Sequence, residues 1–428
     1  MPRRLPDRSF PAAALPGLLL ASLALTSAAR SAPAEDAALA RAREILARHP
    51  IVDGHNDLAW EVREKANGDV AAYDLRQRTP GQTDFERLKA GGVGGQFWSV
   101  YVPAEDPSIG FAKTQLEQIE LARRIVARYP DRLALATTAD EVEGAIARGR
   151  IASLLGMEGG HVIENSLGAL RAYHELGARY MTLTHSRTLD WADAAGDTPR
   201  HGGLTRFGEE VVREMNRLGM LVDLSHVTPE TMEDALRVAE APVIFSHSSA
   251  RAIADHARNV PDHVLERLPA NGGVVMVTFV APFISDELAK ASAPLMAEAR
   301  KKLEGMKDPA ARRQVYADVR AKLPPVEVTI AQVADHVEHV RKVAGVDHVG
   351  IGGDYDGNTS WPTGLEDVSA YPRLFAELVR RGWSEADLAK LAQGNLLRAM
   401  RGAEAAARRL RAVRGPSLAT IEQLDEPR

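Results

Sequence analysis

Eight short runs rich in β-branched and aliphatic residues recur along this chain, and the segments between most of them read as helices. The runs are PIVDGH (50–55), GGQFWSVYV (94–102), RIASLLGME (150–158), ARYMTLTH (178–185), GMLVDLSH (219–226), APVIFSH (241–247), GGVVMVTF (272–279) and DHVGIGGD (347–354). Between them, TQLEQIELARRIVARY (114–129) has apolar residues at helical spacing. RFGEEVVREMNRLG (206–219) stops at a glycine, and TPETMEDALRVAE (228–240) opens with a threonine cap followed by proline. Alternating strand and helix implies a parallel sheet, and eight units imply a (β/α)8 TIM-type barrel. With 428 residues, 45% of them hydrophobic, the chain can bury a core of that size.

In such a barrel the functional residues sit at the carboxyl ends of the strands. Here the first run ends in His55 and Asp57, the third in Glu158, the fourth in His185, the fifth in His226, the sixth in His247 and the eighth in Asp354 and Asp356. Polar residues cap strand ends in most proteins, but four of only 13 histidines falling there is more than capping requires. His55 and Asp57 share one face if extended backbone persists through the H-x-D. Glu158 is flanked by glycines that let backbone approach closely, and His226 and His247 end adjacent runs.

The chain has no cysteine, which excludes disulfides and thiolate ligands and leaves His, Asp and Glu for any metal. That donor set suits zinc or another borderline divalent ion. His55, Asp57, Glu158, His226 and His247 suffice for two open sites if Glu158 bridges them. Two ions so placed acidify a shared water and polarise a carbonyl, which is the chemistry of metal-assisted hydrolysis. A net charge of -5 with interspersed signs and no basic patch excludes a nucleic-acid partner.

Three segments lie outside the eight-unit pattern. Residues 1–34 carry Arg3, Arg4 and Arg8, then the short apolar stretch PAAALPGLLLASLALTS, then small residues, which is a signal-peptide pattern and predicts export to a periplasmic or secreted location. After it no apolar run is long enough to span a membrane. The connection between the last two runs holds a charged, helical insertion over about 285–330. It reads as a solvated excursion, or alternatively as a lid. The following helix, TIAQVADHVEHVRKVAG, places His336 and His339 on its surface in this reading. Residues 35–414 then form one domain, and 415–428 form a loose tail.

The motifs GHNDLAW (54–60), MEGG (157–160), TLTHSRTLDWADAA (182–195), DLSHV (223–227), SHSSAR (246–251), RNVPD (258–262) and GGDYDG (352–357) together resemble the membrane (renal) dipeptidase family, a metallopeptidase branch of the amidohydrolase superfamily. The resemblance spans about residues 50–400. It implies a zinc-dependent dipeptidase with two Zn2+ per chain. His55, Asp57 and Glu158 would hold one ion, and Glu158 would bridge to a second held by His226 and His247. His185 would stabilise the oxyanion, Arg258 would bind the substrate's terminal carboxylate, and Asp354 would shuttle the proton. It also implies a homodimer, tolerance of a C-terminal D-residue, and a small dipeptide as the substrate. Related amidohydrolases bridge their metals with a carbamylated lysine on the fourth strand, and YMTLTH offers none. One rival reading, hydrolysis of N-acyl-D-amino acids, keeps the same ligands; the other, an inactive barrel that binds a ligand, has the full set of ligands against it. The chain departs from the family at FVAPFISDEL (279–288) and in the insertion that follows, which leaves side-chain preference open.

Overall fold

In the computed structural model, which describes residues 36–425 apart from 304 and 307, the eight expected runs all pair as parallel strands. They are β1 (Ile51–Asn56), β2 (Val93–Ser99), β4 (Ile151–Glu158), β5 (Ala178–Thr182), β6 (Leu221–Asp223), β7 (Val243–Phe245), β8 (Val274–Val277) and β9 (Val349–Ile351). One strand was not expected: β3 (Leu133–Leu135) pairs with β4 outside the main path. Three residues are too short to show a period of two, so nothing in RLALATT separates it from a loop. The path runs β1-β2-β4-β5-β6-β7-β8-β9. Its ends meet at a parallel bridge between Asn56 and Tyr355, with Asp57 N donating to Tyr355 O at 2.9 Å and Asp354 N to His55 O at 3.2 Å. The result is a nearly closed barrel of eight parallel strands with helices around it.

Strand alternation fixes which side chains face inward. On β4, Ala152 and Leu154 join an inner apolar cluster, whereas Leu155 and Met157 pack in a separate one with the surrounding helices. The inner cluster draws Val52, Phe97, Tyr180, Leu221, Ile244, Val274 and Met276 from other strands, and Leu396, Leu397 and Met400 from the helix Asn395–Val413. Such layers make the barrel a packed core rather than a pore. Gly156 and Glu158 continue the inward series of β4. A Cβ on Gly156 would collide with the ring of Tyr180, so the glycine is what lets that tyrosine cross the barrel toward β1.

The helix signals hold in detail. Thr205 caps Arg206–Leu218 by accepting from Gly208 N, and Gly219 ends it at φ 84°. Thr228 caps Pro229–Val238 through Thr231 N. Thr329 and Gln332 form a capping box on Ile330–Ala344. The insertion folds as a pair of helices, Asp286–Leu303 and Pro309–Lys322.

Two expectations are corrected. His336 is fully buried, not on the surface: its Nδ1 accepts from Ala250 N at 3.0 Å and its Nε2 lies 3.0 Å from Ile284 O. The last residues are not loose as far as 425. The helix Ile421–Asp425 packs on Arg206–Leu218, and Thr205 Oγ1 donates to Asp425 Oδ2 at 2.6 Å. The expected leader, residues 1–34, lies outside the described residues. Among the described residues no helix is long and apolar enough to cross a membrane.

Candidate metal centre

All the acids and histidines expected at the strand ends gather at the carboxyl end of the barrel. Most lie on the first residues of the loops rather than in the strands: His185 is three residues past β5, His226 three past β6, His247 two past β7 and Asp354 three past β9. Asp57 is a further correction. Strand β1 ends at Asn56, and Asp57 is the first-turn cap of the next helix at φ -94°, ψ 24°. The pleat therefore does not align His55 with Asp57; the turn does, bringing His55 Nε2 and Asp57 Oδ2 to 3.2 Å.

Glu158 stands at the middle. Its Oε2 lies 3.4 Å from His55 Nε2, and its Oε1 lies 3.1 Å from His226 Nε2 and 3.6 Å from His247 Nε2. The two histidines face each other, Nε2 to Nε2, at 2.8 Å. His185 Nε2 is 3.7 Å from Glu158 Oε1, and Asp354 Oδ1 is 3.9 Å from His55 Nε2. Three overlapping groups have ligand atoms within 4.8 Å of one another: His55 with Glu158 and His247, Glu158 with His185 and His226, and His55 with Asp57 and Asp354. His55 Nε2 and Asp57 Oδ1 are buried without a hydrogen-bond partner. Buried polar atoms are rarely left so. Oxygen and imidazole donors converging on one small volume, with orphaned lone pairs among them, fit divalent metal ions.

The supporting residues were not singled out from sequence. Tyr180 OH sits 2.8 Å from His55 Nδ1. Ser246 Oγ sits 2.8 Å from His247 Nδ1 and donates at 2.6 Å to Asp223 Oδ2. Asp223 also accepts from Ser246 N at 2.8 Å and Thr182 Oγ1 at 2.5 Å. Ser99 Oγ donates to Glu158 Oε2 at 3.1 Å. By engaging each Nδ1, these groups turn the Nε2 of His55 and His247 toward the centre. Inward alternation on β5 and β6 was the available signal, since Tyr180, Thr182 and Asp223 share the face of the site.

Two residues of the cluster carry backbone strain. His226 and Asp354 have φ of 70° and 61°, which L-residues adopt at a cost of about 1–3 kcal/mol. His226 is held by its carbonyl, which accepts from Ala195 N at 2.7 Å and Thr184 Oγ1 at 3.2 Å. Asp356, also at positive φ, points away: its Oδ1 accepts from Gln82 N at 2.6 Å, so it pins the 79–84 loop.

Charge is split sharply across the centre. Burial opposes the protonated ring of His55, but Tyr180, Glu158 and Asp57 outweigh it and hold its pKa well above the usual range. Burial opposes the Glu158 carboxylate, and His55, His226 and His185 reverse that and hold it well below. Asp354 goes the other way, pushed well up by burial and by the Asp57 and Glu158 charges. His226 is held well down by burial, then by Arg258 and His185, and His247 by burial, then by His55 and Arg258. Arg258 is buried beside this cluster. Burial lowers its pKa to about 10, and its guanidinium makes two long contacts, 3.4 Å each, to Ser248 Oγ and His247 O. It stacks 5.3 Å over Phe283, from the stretch that departs from the family pattern. Its fork is thus not saturated by the protein.

The profile of the membrane dipeptidase family (Peptidase family M19) matches residues 39–414. The chain belongs to that family. Among membrane dipeptidases and their relatives, it is similar to dipeptidase 3 of Mus musculus, 41% identical over 86% of this chain and 66% of the mouse protein. Dipeptidase 3 of Rattus norvegicus is also 41% identical, over 86% of this chain and 67% of the rat protein. The chain thus spans about two thirds of the length of these relatives. Among solved structures, a metallopeptidase described as dipeptidase AC of the same family aligns at 27% identity, with a TM-score of 0.68 over 83% of this chain and 98% of that one. The probable dipeptidase PvdM from Pseudomonas aeruginosa shares the fold, with a TM-score of 0.74 at 24% identity over 86% of this chain and 99% of that one.

Proposed function

We propose that the protein is a binuclear zinc dipeptidase that hydrolyses the single amide bond of small dipeptides. The observation that carries this reading is the stance of Glu158, whose two oxygens face different histidines, Oε2 toward His55 and Oε1 toward His226 and His247. A carboxylate so placed is suited to bridge two ions. In this reading His55, Asp57 and Glu158 would hold one zinc, and Glu158, His226 and His247 the other. Zinc bound there would supply Lewis acidity, the chemistry that makes a bound water acidic and a carbonyl electrophilic.

The chain's own residues do the rest. Arg258 presents its unsaturated guanidinium to the substrate carboxylate, the planar pairing for which arginine is suited. That contact orients the amide across the mouth of the barrel. His185, on the opposite side of Glu158 from His55, donates to the oxygen that becomes negative as the carbonyl is attacked. Asp354, whose Oδ1 stands 3.9 Å from His55 Nε2 at the edge of the cluster, is placed to accept the proton of the attacking water as a carboxylate and pass it to the leaving amine. An exported, homodimeric enzyme is part of the same reading, resting on the leader pattern and on the family.

The test is a panel of L,L and L,D dipeptides, free and N-acetylated, assayed with metal quantification. Turnover of free dipeptides with about two zinc ions per chain is expected. Turnover of only the N-acetylated substrates would replace this reading with N-acyl amino acid hydrolysis. No turnover, with less than about one zinc per chain after purification in zinc buffer, would leave a binding barrel.

A further inference from the structure

The insertion between β8 and β9 does not stand apart in solvent. Its second helix carries Arg312, whose side chain is only 13% exposed. Nη1 of Arg312 donates to Leu303 O at 3.3 Å and Met306 O at 3.1 Å, closing the turn between the two inserted helices. Nη2 of the same guanidinium lies 3.5 Å from Glu105 Oε1, on the loop after β2. Glu105 is 10% exposed, and its Oε1 also accepts from Ser186 Oγ at 2.7 Å. Ser186 follows His185, and the Tyr101 ring lies edge-on to His185 with centroids 4.9 Å apart. One arginine thus fastens the turn of the insertion to the two loops that frame His185.

Barrel order says which end of the substrate meets this fastening. In the path β1-β2-β4-β5-β6-β7-β8-β9, β2 is second and β7 sixth, so they stand opposite each other in a ring of eight. Arg258 belongs to the long loop after β7, but its guanidinium lies back against His247 O and Ser248 Oγ just past that strand, and Glu105 is on the loop after β2. A dipeptide with its carboxylate on Arg258 therefore points its amino-terminal residue toward Glu105 and Arg312. A cavity of about 380 Å³ lies at the same place, lined by Glu105, Arg187, Leu303 and Met306 among others. Glu105 is common to both: it lines the cavity and bonds the residue next to His185.

We propose that the inserted helices set substrate length, with the Arg312–Glu105 pair closing the space beyond the substrate's amino-terminal residue so that peptides extended at that end are excluded. This rests on the dipeptidase reading and on Arg258 receiving the carboxylate. Breaking the pair joins the cavity to the metal centre and makes room for a further residue. Arg312 touches neither metal ligands nor reacting atoms; it is a specificity-determining residue acting through Glu105.

The experiment compares Ala-Ala with Ala-Ala-Ala on the full chain and on Arg312→Ala, Arg312→Lys and Glu105→Gln, with zinc content and melting temperature measured for each. The expected result is that wild type cleaves the dipeptide and not the tripeptide. Arg312→Ala and Glu105→Gln should raise kcat/KM for the tripeptide relative to the dipeptide by about tenfold or more, the scale of pocket-based discrimination. Dipeptide kcat in Arg312→Ala should stay within about threefold of wild type, and Arg312→Lys should restore most of the discrimination. A ratio within about twofold of wild type in both Arg312→Ala and Glu105→Gln, at full zinc content, overturns the proposal. So does a wild type that cleaves both peptides equally. Failure of wild type on the dipeptide itself is a different result, because it removes the dipeptidase reading beneath the proposal.

Discussion

Ser246→Ala removes one oxygen atom from the support of His247, and its effect can be worked from the geometry. With Nε2 of His247 facing the centre, Nδ1 carries the proton and donates to Ser246 Oγ at 2.8 Å; the hydroxyl then donates to Asp223 Oδ2 at 2.6 Å. The direction of the chain is fixed at both ends. Without the hydroxyl, a fully buried N–H loses its acceptor, at a cost of about 1–3 kcal/mol. Asp223 loses one charge-assisted donor, worth roughly 1.5–3 kcal/mol, but keeps Ser246 N and Thr182 Oγ1. Because those remaining donors still hold Asp223, the fold should lose about 2–4 kcal/mol, not the full sum. Zinc affinity should fall about 10- to 100-fold, the usual consequence of losing a ligand's outer partner, or about 1.4–2.7 kcal/mol. Urea unfolding of the metal-free protein reads the first quantity, and competition against a chromophoric chelator reads the second. If stability falls as expected while zinc affinity stays within about twofold of wild type, the hydroxyl only packs the barrel and the orientation argument is wrong.

Three further outcomes follow from the same geometry. Glu158→Gln should lower zinc content by at least one ion per two-ion site while leaving the barrel folded; full occupancy by elemental analysis would show that the carboxylate does not bridge. His185→Ala should keep its zinc and lose about 10²- to 10³-fold in kcat, whereas lost zinc would make His185 a ligand. In metal-free protein, His336 is buried neutral with a pKa lowered by burial to about 4, against about 6.5 unfolded. The unfolded chain therefore binds the extra proton between those values, so His336 contributes stability above pH ~6.5 that is lost as pH falls toward ~4, with a slope of about 1.4 kcal/mol per pH unit. Denaturation of His336→Gln across that range should be shallower by this slope; identical slopes would mean that the histidine titrates normally in the fold.

The barrel could be read from sequence because each of its eight main strands is a short β-branched or aliphatic run bounded by caps and glycines, and because acids and histidines recur where a barrel puts its chemistry. What escaped is instructive about the limits of local pattern. Asp57 reaches His55 through a helix-opening turn, which a period-two argument cannot see. His336 shares the buried face of its helix with Val333, Val337 and Val340, so helical periodicity did place it inward, and its polarity obscured that. Tyr180, Ser246 and Asp223 looked like ordinary strand residues because their roles depend on which strands become neighbours. The docked end at Asp425 depends on Thr205, 220 residues earlier, a pairing that no local signal carries.

The seam between β1 and β9 has a consequence for the order in which the molecule comes into being. Asp53 is buried there and accepts from Gly353 N and Tyr371 OH, both at 2.8 Å, partners 300 and 318 residues further along the chain. A ribosome making this protein delivers His55 and Asp57 among the first residues of the barrel and Asp354 among the last. Until then one half of the centre faces a gap. Assembly of the cluster is therefore tied to completion, and a chain cut short before residue 349 is a barrel missing a stave, with β1 and β8 left as unpaired edges beside the gathered acids and histidines.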